Sequence, residues 1–482
     1  MSDIKPDTQT SDEPARGRPD AAARLGTEPV GKLLLQFSIP AIVGMLVNAL
    51  YNVVDRIFVG RGVNEAALGG LSLILPLMTI SMAFAMLFGF GSANMISMRL
   101  GQGRREEAEN ALNHCFFLLL SLGLAGITLG LIFLEPIISV LGAQEGSEAL
   151  GYARHYFRII LYGQVFFMLS FGFSHCTRAQ GFPMISMIGM FIGAGMNMLL
   201  DPIFIFVFQW GVEGAAWATI ISQFASGIWI LSFNLNKKAA VRLRLKTFKP
   251  SLSIIRQIMA FGSAQFLLQF IMSGVQFLYN AGMARYGAEA LGVANGGDIA
   301  LSGMNIVISI TMLILMPVFG INQGVQPLLG YNYGAKKFSR VLGAYLRAVF
   351  AATGICIAGF LAVEIAPHTL AALFTPNGSP ALLSFTPWAM RISMLLLPTI
   401  GFQVVSANVF VATGRPQISI FLSMLRQCIV LIPCMLLFGR FWGLWGVIAA
   451  QPVADGFSFL LTGVMIFLEL KKLRRNPVDS EP

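Results

Sequence analysis

The sequence has 482 residues, 56% of them hydrophobic and 12% charged, with a formal charge of +10 and a mean hydropathy of +0.72. A water-soluble domain carries about twice that charge fraction, so a soluble fold is excluded and lipid is the solvent that fits. The basic residues fall in short clusters between apolar segments, which excludes a nucleic-acid surface and makes them reporters of membrane orientation.

Residues 1–31 are rich in Asp, Pro, Thr, Ala and Arg and hold no apolar run, so they are expected to form a disordered cytoplasmic tail, neither signal peptide nor span. A helix needs about 20 mainly apolar residues to cross the hydrocarbon core, and that rule predicts about twelve spans. Six fall at 33–58, 68–98, 115–134, 157–177, 184–208 and 215–235, which define an N-lobe over 32–235. A basic linker at 236–257 follows, then spans at 258–283, 291–321, 341–366, 388–411, 418–438 and 444–470 in a C-lobe over 258–470, and a tail at 471–482. Alternate connections carry the basic clusters: Arg99 with Arg104 and Arg105, Arg178, the linker, Lys336 with Lys337 and Arg340, Arg415, and Lys471 with Lys472. Both termini are therefore expected to be cytoplasmic.

The halves resemble each other. Ala67-Leu68-Gly69 answers to Ala290-Leu291-Gly292, Gly101 to Gly330, Gly181 and Pro183 to Gly414 and Pro416, and Gly211 and Gly214 to Gly443 and Gly446. The expected fold is all-α and membrane-integral, with two pseudo-symmetric lobes of six helices each. Such a duplication belongs most often to a transporter whose lobes rock about a site near the midplane.

An ionisable side chain at the bilayer centre costs several kcal/mol, so each one needs a reason. On the first span Asn48, Asn52 and Asp55 share one helical face with Tyr51 beside them; Asn197 and Asp201 on the fifth span and Thr219 and Gln223 on the sixth repeat the i, i+4 spacing. Two carboxylates, an amide oxygen and a hydroxyl are hard ligands for a sodium ion. The same pair also suits a proton, because two nearby carboxylates in low dielectric do not both ionise cheaply. The competing reading makes Asp55 and Asp201 helix-end caps beside Arg56 and Pro202. Applying the repeat offset removes every one of these acids from the second lobe, so ion coupling is expected in the first lobe alone.

The second lobe offers Gln265, Gln269, Met272, Gln276 and Tyr279 along the seventh span, Asp298 early in the eighth, Asn408 in the tenth, and Gln451 and Asp455 in the twelfth. Amides and thioethers beside an isolated acid suit a bulky, amphipathic, often cationic ligand. Interhelical hydrogen bonding is the competing role for the glutamines. Pro40, about four turns from Asp55, is a candidate hinge on the first span.

Cys115, Cys176, Cys356, Cys428 and Cys434 have no CxxC spacing and read as packing residues. The histidines His114, His155, His175 and His368 are scattered at span ends, with no HExxH and no P-loop, which argues against an enzyme and against nucleotide-driven transport. No cofactor is expected.

The chain resembles the multidrug and toxic compound extrusion (MATE) family, and more closely its MepA-like bacterial branch, over nearly everything after Gly26. The likeness rests on Pro40 with the run Asn52-Val53-Val54-Asp55-Arg56-Ile57-Phe58-Val59-Gly60, on Asn197-Met198-Leu199-Leu200-Asp201-Pro202-Ile203-Phe204, on Gly320-Ile321-Asn322-Gln323-Gly324-Val325-Gln326-Pro327 leading into Gly330-Tyr331-Asn332-Tyr333-Gly334-Ala335, and on the glycine and alanine pattern from Gly211 to Thr219. The resemblance implies a V-shaped pair of six-helix lobes with a central cavity, exporting drug-like molecules in antiport with H+ or Na+; the bacterial inner membrane is the expected location, and a monomer is expected because the two lobes already form the pathway. It implies a cation site at Asp55, Asn197, Asp201 and Thr219. One departure stands out: the seventh and tenth spans here lack the acids that other branches carry. A flippase for a lipid-linked cargo is the alternative, disfavoured because the intramembrane charges read as acidic.

Overall fold

The computed structural model describes residues 22–140, 147–244, 248–292, 295–374 and 379–474, with the side chains of Asn52, Arg61, Glu65, Val140 and Arg474 outside that description. Lipid offers backbone groups no hydrogen-bond partner, so a spanning segment must satisfy its own, and the described residues form helices and no strand. In the N-terminal half these are α1 (Val30–Gly62), α2 (Glu65–Gly101), α3 (Arg105–Ile132), α4 (Leu134–Val140), α5 (Glu148–Tyr162), α6 (Gln164–Ala179), α7 (Pro183–Pro202) and α8 (Gly211–Leu235). The C-terminal half holds α9 (Leu252–Ala290), α10 (Gly296–Gly334), α11 (Phe338–Ile365), α12 (Pro367–Phe374), α13 (Pro380–Ser393), α14 (Leu397–Ala412), α15 (Pro416–Met424) and α16 (Ile432–Arg474).

Nine of the described stretches are long and apolar enough to span a membrane alone, and two more spans are bent pairs, α5 with α6 at 60° and α13 with α14 at 47°. The run Pro416–Leu473 has 58 residues, about twice what a bilayer needs, and it breaks at Gly443, whose φ of 56° lies in the left-handed region. Counting it as two spans gives the expected twelve-helix fold. The fourth and tenth spans begin earlier than the sequence predicts, at Glu148 and Pro380 instead of 157 and 388. Their first turns are amphipathic, so an apolar-window reading passes over them.

The repeat is visible in backbone geometry. Gly211 and Gly443 both have φ of 56°, and Gly181 and Gly414 have φ of 98° and 79°. One pairing changes: the structural counterpart of Gly101 is Gly334, not Gly330. A Cβ on Gly101 would lie 2.0 Å from the Tyr331 carbonyl oxygen, and one on Gly334 would lie 2.2 Å from that of Met98, a reciprocal contact about the pseudo-twofold.

The halves meet through α1 against α10 and α2 against α9, with α2 crossing α10. These crossings are backbone-close. A Cβ on Gly262 would sit 1.8 Å from the Leu87 carbonyl oxygen, one on Gly91 would sit 2.1 Å from that of Ile258, and one on Gly324 would sit 2.7 Å from the Ser38 backbone nitrogen. Small residues replace a hydrophobic driving force that lipid does not provide. The close approaches lie toward the bundle end that carries the interlobe linker, where Arg99 also donates to Gln257 at 3.1 Å.

The segment expected as a tail is partly built into this end. Leu25 is buried, and its carbonyl accepts from Asn332 Nδ2 at 2.9 Å and Arg340 Nη2 at 3.1 Å; Arg340 also binds the Glu28 carbonyl at 2.6 Å, and Lys337 Nζ that of Gly26 at 3.0 Å. Backbone carbonyls make these contacts, and a composition reading does not register them. Residues 1–21 of the expected tail, and 475–482 of the C-terminal one, lie outside the described residues.

Because nothing at the Gly262 crossing can move without shifting a backbone, Gly262→Val is expected to destabilise the protein by about 1–3 kcal/mol. Gly274→Ala, where an added Cβ meets nothing within 4 Å, should be neutral or slightly stabilising. Thermal unfolding of the two purified variants in detergent checks the contrast.

Candidate functional site

The N-lobe stripes converge. Asp201 is fully buried near the end of α7, one turn after Asn197, and the next residues, Ile203–Val207, wind as a π-helix. Such local widening recurs at functional sites. Asn197 Nδ2 donates to Asp201 Oδ1 at 3.2 Å and to Thr219 Oγ1 on α8 at 3.3 Å, while Thr219 donates to its own helix at Ala215 O, 3.0 Å away. From α1, the half-buried Asp55 brings its carboxyl group within side-chain hydrogen-bonding reach of that of Asp201, and Tyr51 stands beside both. Among the described residues, Asp55 Oδ1, Asp201 Oδ2 and Asn197 Oδ1 are buried acceptors with no donor. Two adjacent carboxyl groups with acceptor oxygens that lack a donor call for a proton or a cation, because buried polar atoms are otherwise almost always satisfied.

Next to this cluster is a cavity of about 130 Å³ between α1, α6, α7 and α8. Asn48, Tyr51, Asn197 and Thr219 line its end near the acids, and Ser222, Ser226, Ser170, Ser186 and Ser174 continue it toward the linker end. Ser170 and Ser226 bond at 2.8 Å, and Ser174 with Ser186. The cavity is roomy and polar enough for several waters. The side chain of Asn52 lies outside the described residues. Pro40 is buried in α1, which continues through it unbroken.

The C-lobe forms a second cavity of about 170 Å³, lined by Met272, Gln276 and Tyr279 of α9, Gln451 and Asp455 of α16, and the methionines Met304, Met312 and Met394. Of the expected substrate residues, Gln269 and Asp298 line none of the described cavities. Gln269 is half-buried on α9, and Asp298 is exposed in the first turn of α10. Asp455 is 1% exposed and is not an isolated acid: it accepts from Arg426 Nε at 2.7 Å and from Gln451 Nε2 at 3.3 Å.

Three residues escaped the sequence reading. Tyr156, whose hydroxyl reaches Thr219, precedes the assumed start of the fourth span. Arg178, taken for a loop cation, is buried in the last turn of α6 and donates to Ser174 at 3.1 Å, Ser186 at 2.6 Å and His175 Nδ1 at 2.9 Å. Arg426 lies near the middle of the eleventh span, in the second π-helical stretch, Leu425–Leu431. A count of charges per span would have found it. The interior charges are therefore of both signs, and acidity alone does not disfavour a phosphate-bearing cargo.

The MatE family model matches residues 40–203 and 264–436. The chain is 28% identical over 444 residues to the multidrug export protein MepA of Staphylococcus aureus strain MRSA252, covering 91% of this chain and 94% of that one. It is 28% identical over 443 residues to MepA of Staphylococcus haemolyticus strain JCSC1435, covering 90% and 93%. Among solved structures, a MATE protein in a bent conformation superposes with a TM-score of 0.87 at 26% identity, covering 95% of this chain and 99% of that one. A MOP superfamily transporter from Pyrococcus furiosus, described as having a binding pocket of reversed polarity, superposes at 0.85 with 26% identity over 94% and 99%.

If the acids face each other as described, Asp55→Asn and Asp201→Asn each remove a like-charge contact. Each variant should unfold at higher temperature than the parent protein in sodium-free alkaline buffer, by on the order of 1 kcal/mol, because an amide in place of one carboxyl group removes the like-charge contact. Equal or lower stability of both variants under those conditions would contradict the juxtaposition.

Proposed function

The chain belongs to the MatE family, and from that premise we propose that it is a secondary active multidrug efflux transporter, exporting small, amphipathic, often cationic compounds in antiport with H+ or Na+ held between Asp55 and Asp201. One observation carries the ion assignment: among the described residues the buried oxygens Asp55 Oδ1, Asp201 Oδ2 and Asn197 Oδ1 lack a donor, and the two carboxyl groups lie within hydrogen-bonding reach of each other. A shared proton satisfies the two carboxyl groups. A sodium ion satisfies all three atoms, and the Thr219 hydroxyl is at hand as a further ligand. The relatives named as multidrug export proteins support the drug-like cargo.

The coupling follows from where α1 sits. It carries Asp55 toward α7 within its own lobe and packs along α10 of the other lobe. Binding a cation replaces repulsion between the carboxyl groups with attraction and draws this part of α1 toward α7. Releasing the cation lets it move back against α10. Pro40, with no amide hydrogen to donate, is the place along α1 where such a bend costs least. One ligand thereby biases a two-state packing of the lobes, which is all that antiport requires.

We place the protein in the bacterial cytoplasmic membrane as a monomer. The basic clusters at Arg99, Arg104, Lys336, Lys337 and Arg415, with the linker, mark one end of the bundle as cytoplasmic. Both termini lie on that side.

Proteoliposomes loaded with a fluorescent organic cation test the reading under imposed sodium and proton gradients applied separately. One gradient should drive transport in the parent protein, and Asp55→Asn and Asp201→Asn should each reduce the driven rate to the level of leak. Undiminished gradient-driven transport in both variants would remove the pair from the coupling step.

A further inference from the structure

The C-lobe cavity differs from what an isolated carboxylate would make. Asp455 is held by an internal cation, Arg426, at 2.7 Å, and Gln451 braces both of its oxygens at 3.3 Å. Arg426 makes this contact through Nε alone, and neither of its Nη groups has a hydrogen bond among the described residues. Arg426 nevertheless lines two cavities at once. One is the methionine-rich space containing Met272 and Tyr279; the other is a space of about 100 Å³ lined by Gln265, Asn322, Gln403 and Asn408. On residues lining the second space, Asn322 Oδ1, Gln403 Oε1 and Asn408 Oδ1 are buried acceptors with no donor among the described residues. Unused donors on a residue shared by the two spaces describe a ligand with an acceptor of its own.

We propose, on the reading of the protein as a multidrug exporter, that Arg426 is a specificity-determining residue. It cancels the charge of Asp455 and offers its free N–H groups to a carboxylate or carbonyl oxygen of the substrate. The C-lobe cavity so built selects aromatic zwitterions over simple organic cations. A pure cation must compete with Arg426 for Asp455; a zwitterion leaves that pair intact and adds charge-assisted hydrogen bonds to it. The π-helical stretch here carries two successive polar residues, Arg426 and Gln427, that both line the cavity.

Rhodamine 110, with a free carboxylate and two amino groups, and rhodamine 123, its methyl ester, form a matched probe pair. Their binding to purified protein in detergent is read by fluorescence anisotropy, without any gradient. The parent protein should bind rhodamine 110 the more tightly, by about tenfold, as expected for one charge-assisted hydrogen-bonded contact. Arg426→Gln should invert the preference, because the carboxylate loses its partner and Asp455 becomes available to the ester cation. Asp455→Asn should sharpen it, and Arg426→Gln with Asp455→Asn should erase it. If Arg426→Gln does not fold, Asp455→Asn and Arg426→Lys, which keeps the charge but loses the fork, carry the test through a stronger and a weaker preference respectively. An unchanged dye ratio across the folded variants, or tighter binding of the ester by the parent protein, overturns the proposal. Failure of the antiport reading is seen separately, as intact dye selectivity with no gradient-driven transport in liposomes.

Discussion

Two carboxyl groups facing each other inside a helix bundle are an unstable arrangement unless something positive lies between them. Asp55 reaches Asp201 from a helix that also forms the interlobe contact, so the charge state of the pair and the packing of the lobes act on the same element. Much of the remaining structure keeps this arrangement under control. Asn197, which also bonds Thr219, holds the Asp201 side chain, and glycine crossings at Gly91, Gly262 and Gly324 let the lobes meet backbone to backbone. The serine-lined cavity supplies a polar space next to the acids.

The two halves began as copies and now do different chemistry. Both the fifth and the eleventh spans carry a π-helical stretch, Ile203–Val207 and Leu425–Leu431. In the first half the stretch follows an acid that faces another acid. In the second it holds Arg426, which neutralises the one buried acid of its cavity. The backbone irregularity has been retained while the charges around it have been exchanged, so one lobe presents uncompensated oxygens and the other a balanced ion pair. A duplicated scaffold can separate ion and substrate handling in this way without changing its topology.

What the sequence disclosed followed the physics of each signal. Spans were legible because about twenty apolar residues in a row match the thickness of the hydrocarbon core and little else in a protein. Asp55, Asn197, Asp201 and Thr219 came together because i, i+4 spacing fixes a face wherever the helix packs. The failures were of other kinds. Gln269 and Asp298 were chosen for residue type, and type does not say which way a helix turns its side. Arg426 sat unnoticed in an apolar span, although a single charge in such a run is a strong signal. The lost start of the fourth span hid Tyr156, and the docking of residues 22–29 depends on main-chain carbonyls that carry no compositional mark.

That docking turns α1 into a lever. The helix is pinned to the C-lobe at its beginning by Asn332, Lys337 and Arg340, crosses the other lobe at Ser38 against Gly324, and ends in the N-lobe near Asp55. From the crossing to Asp55 the arm is about 25 Å. With the near end clamped and a fulcrum at the glycine, a tilt of a few degrees at the crossing displaces the acid by more than an ångström, enough to make or break its meeting with Asp201. Removal of Leu25 to Glu28 would leave the lever with a fulcrum and no fixed end.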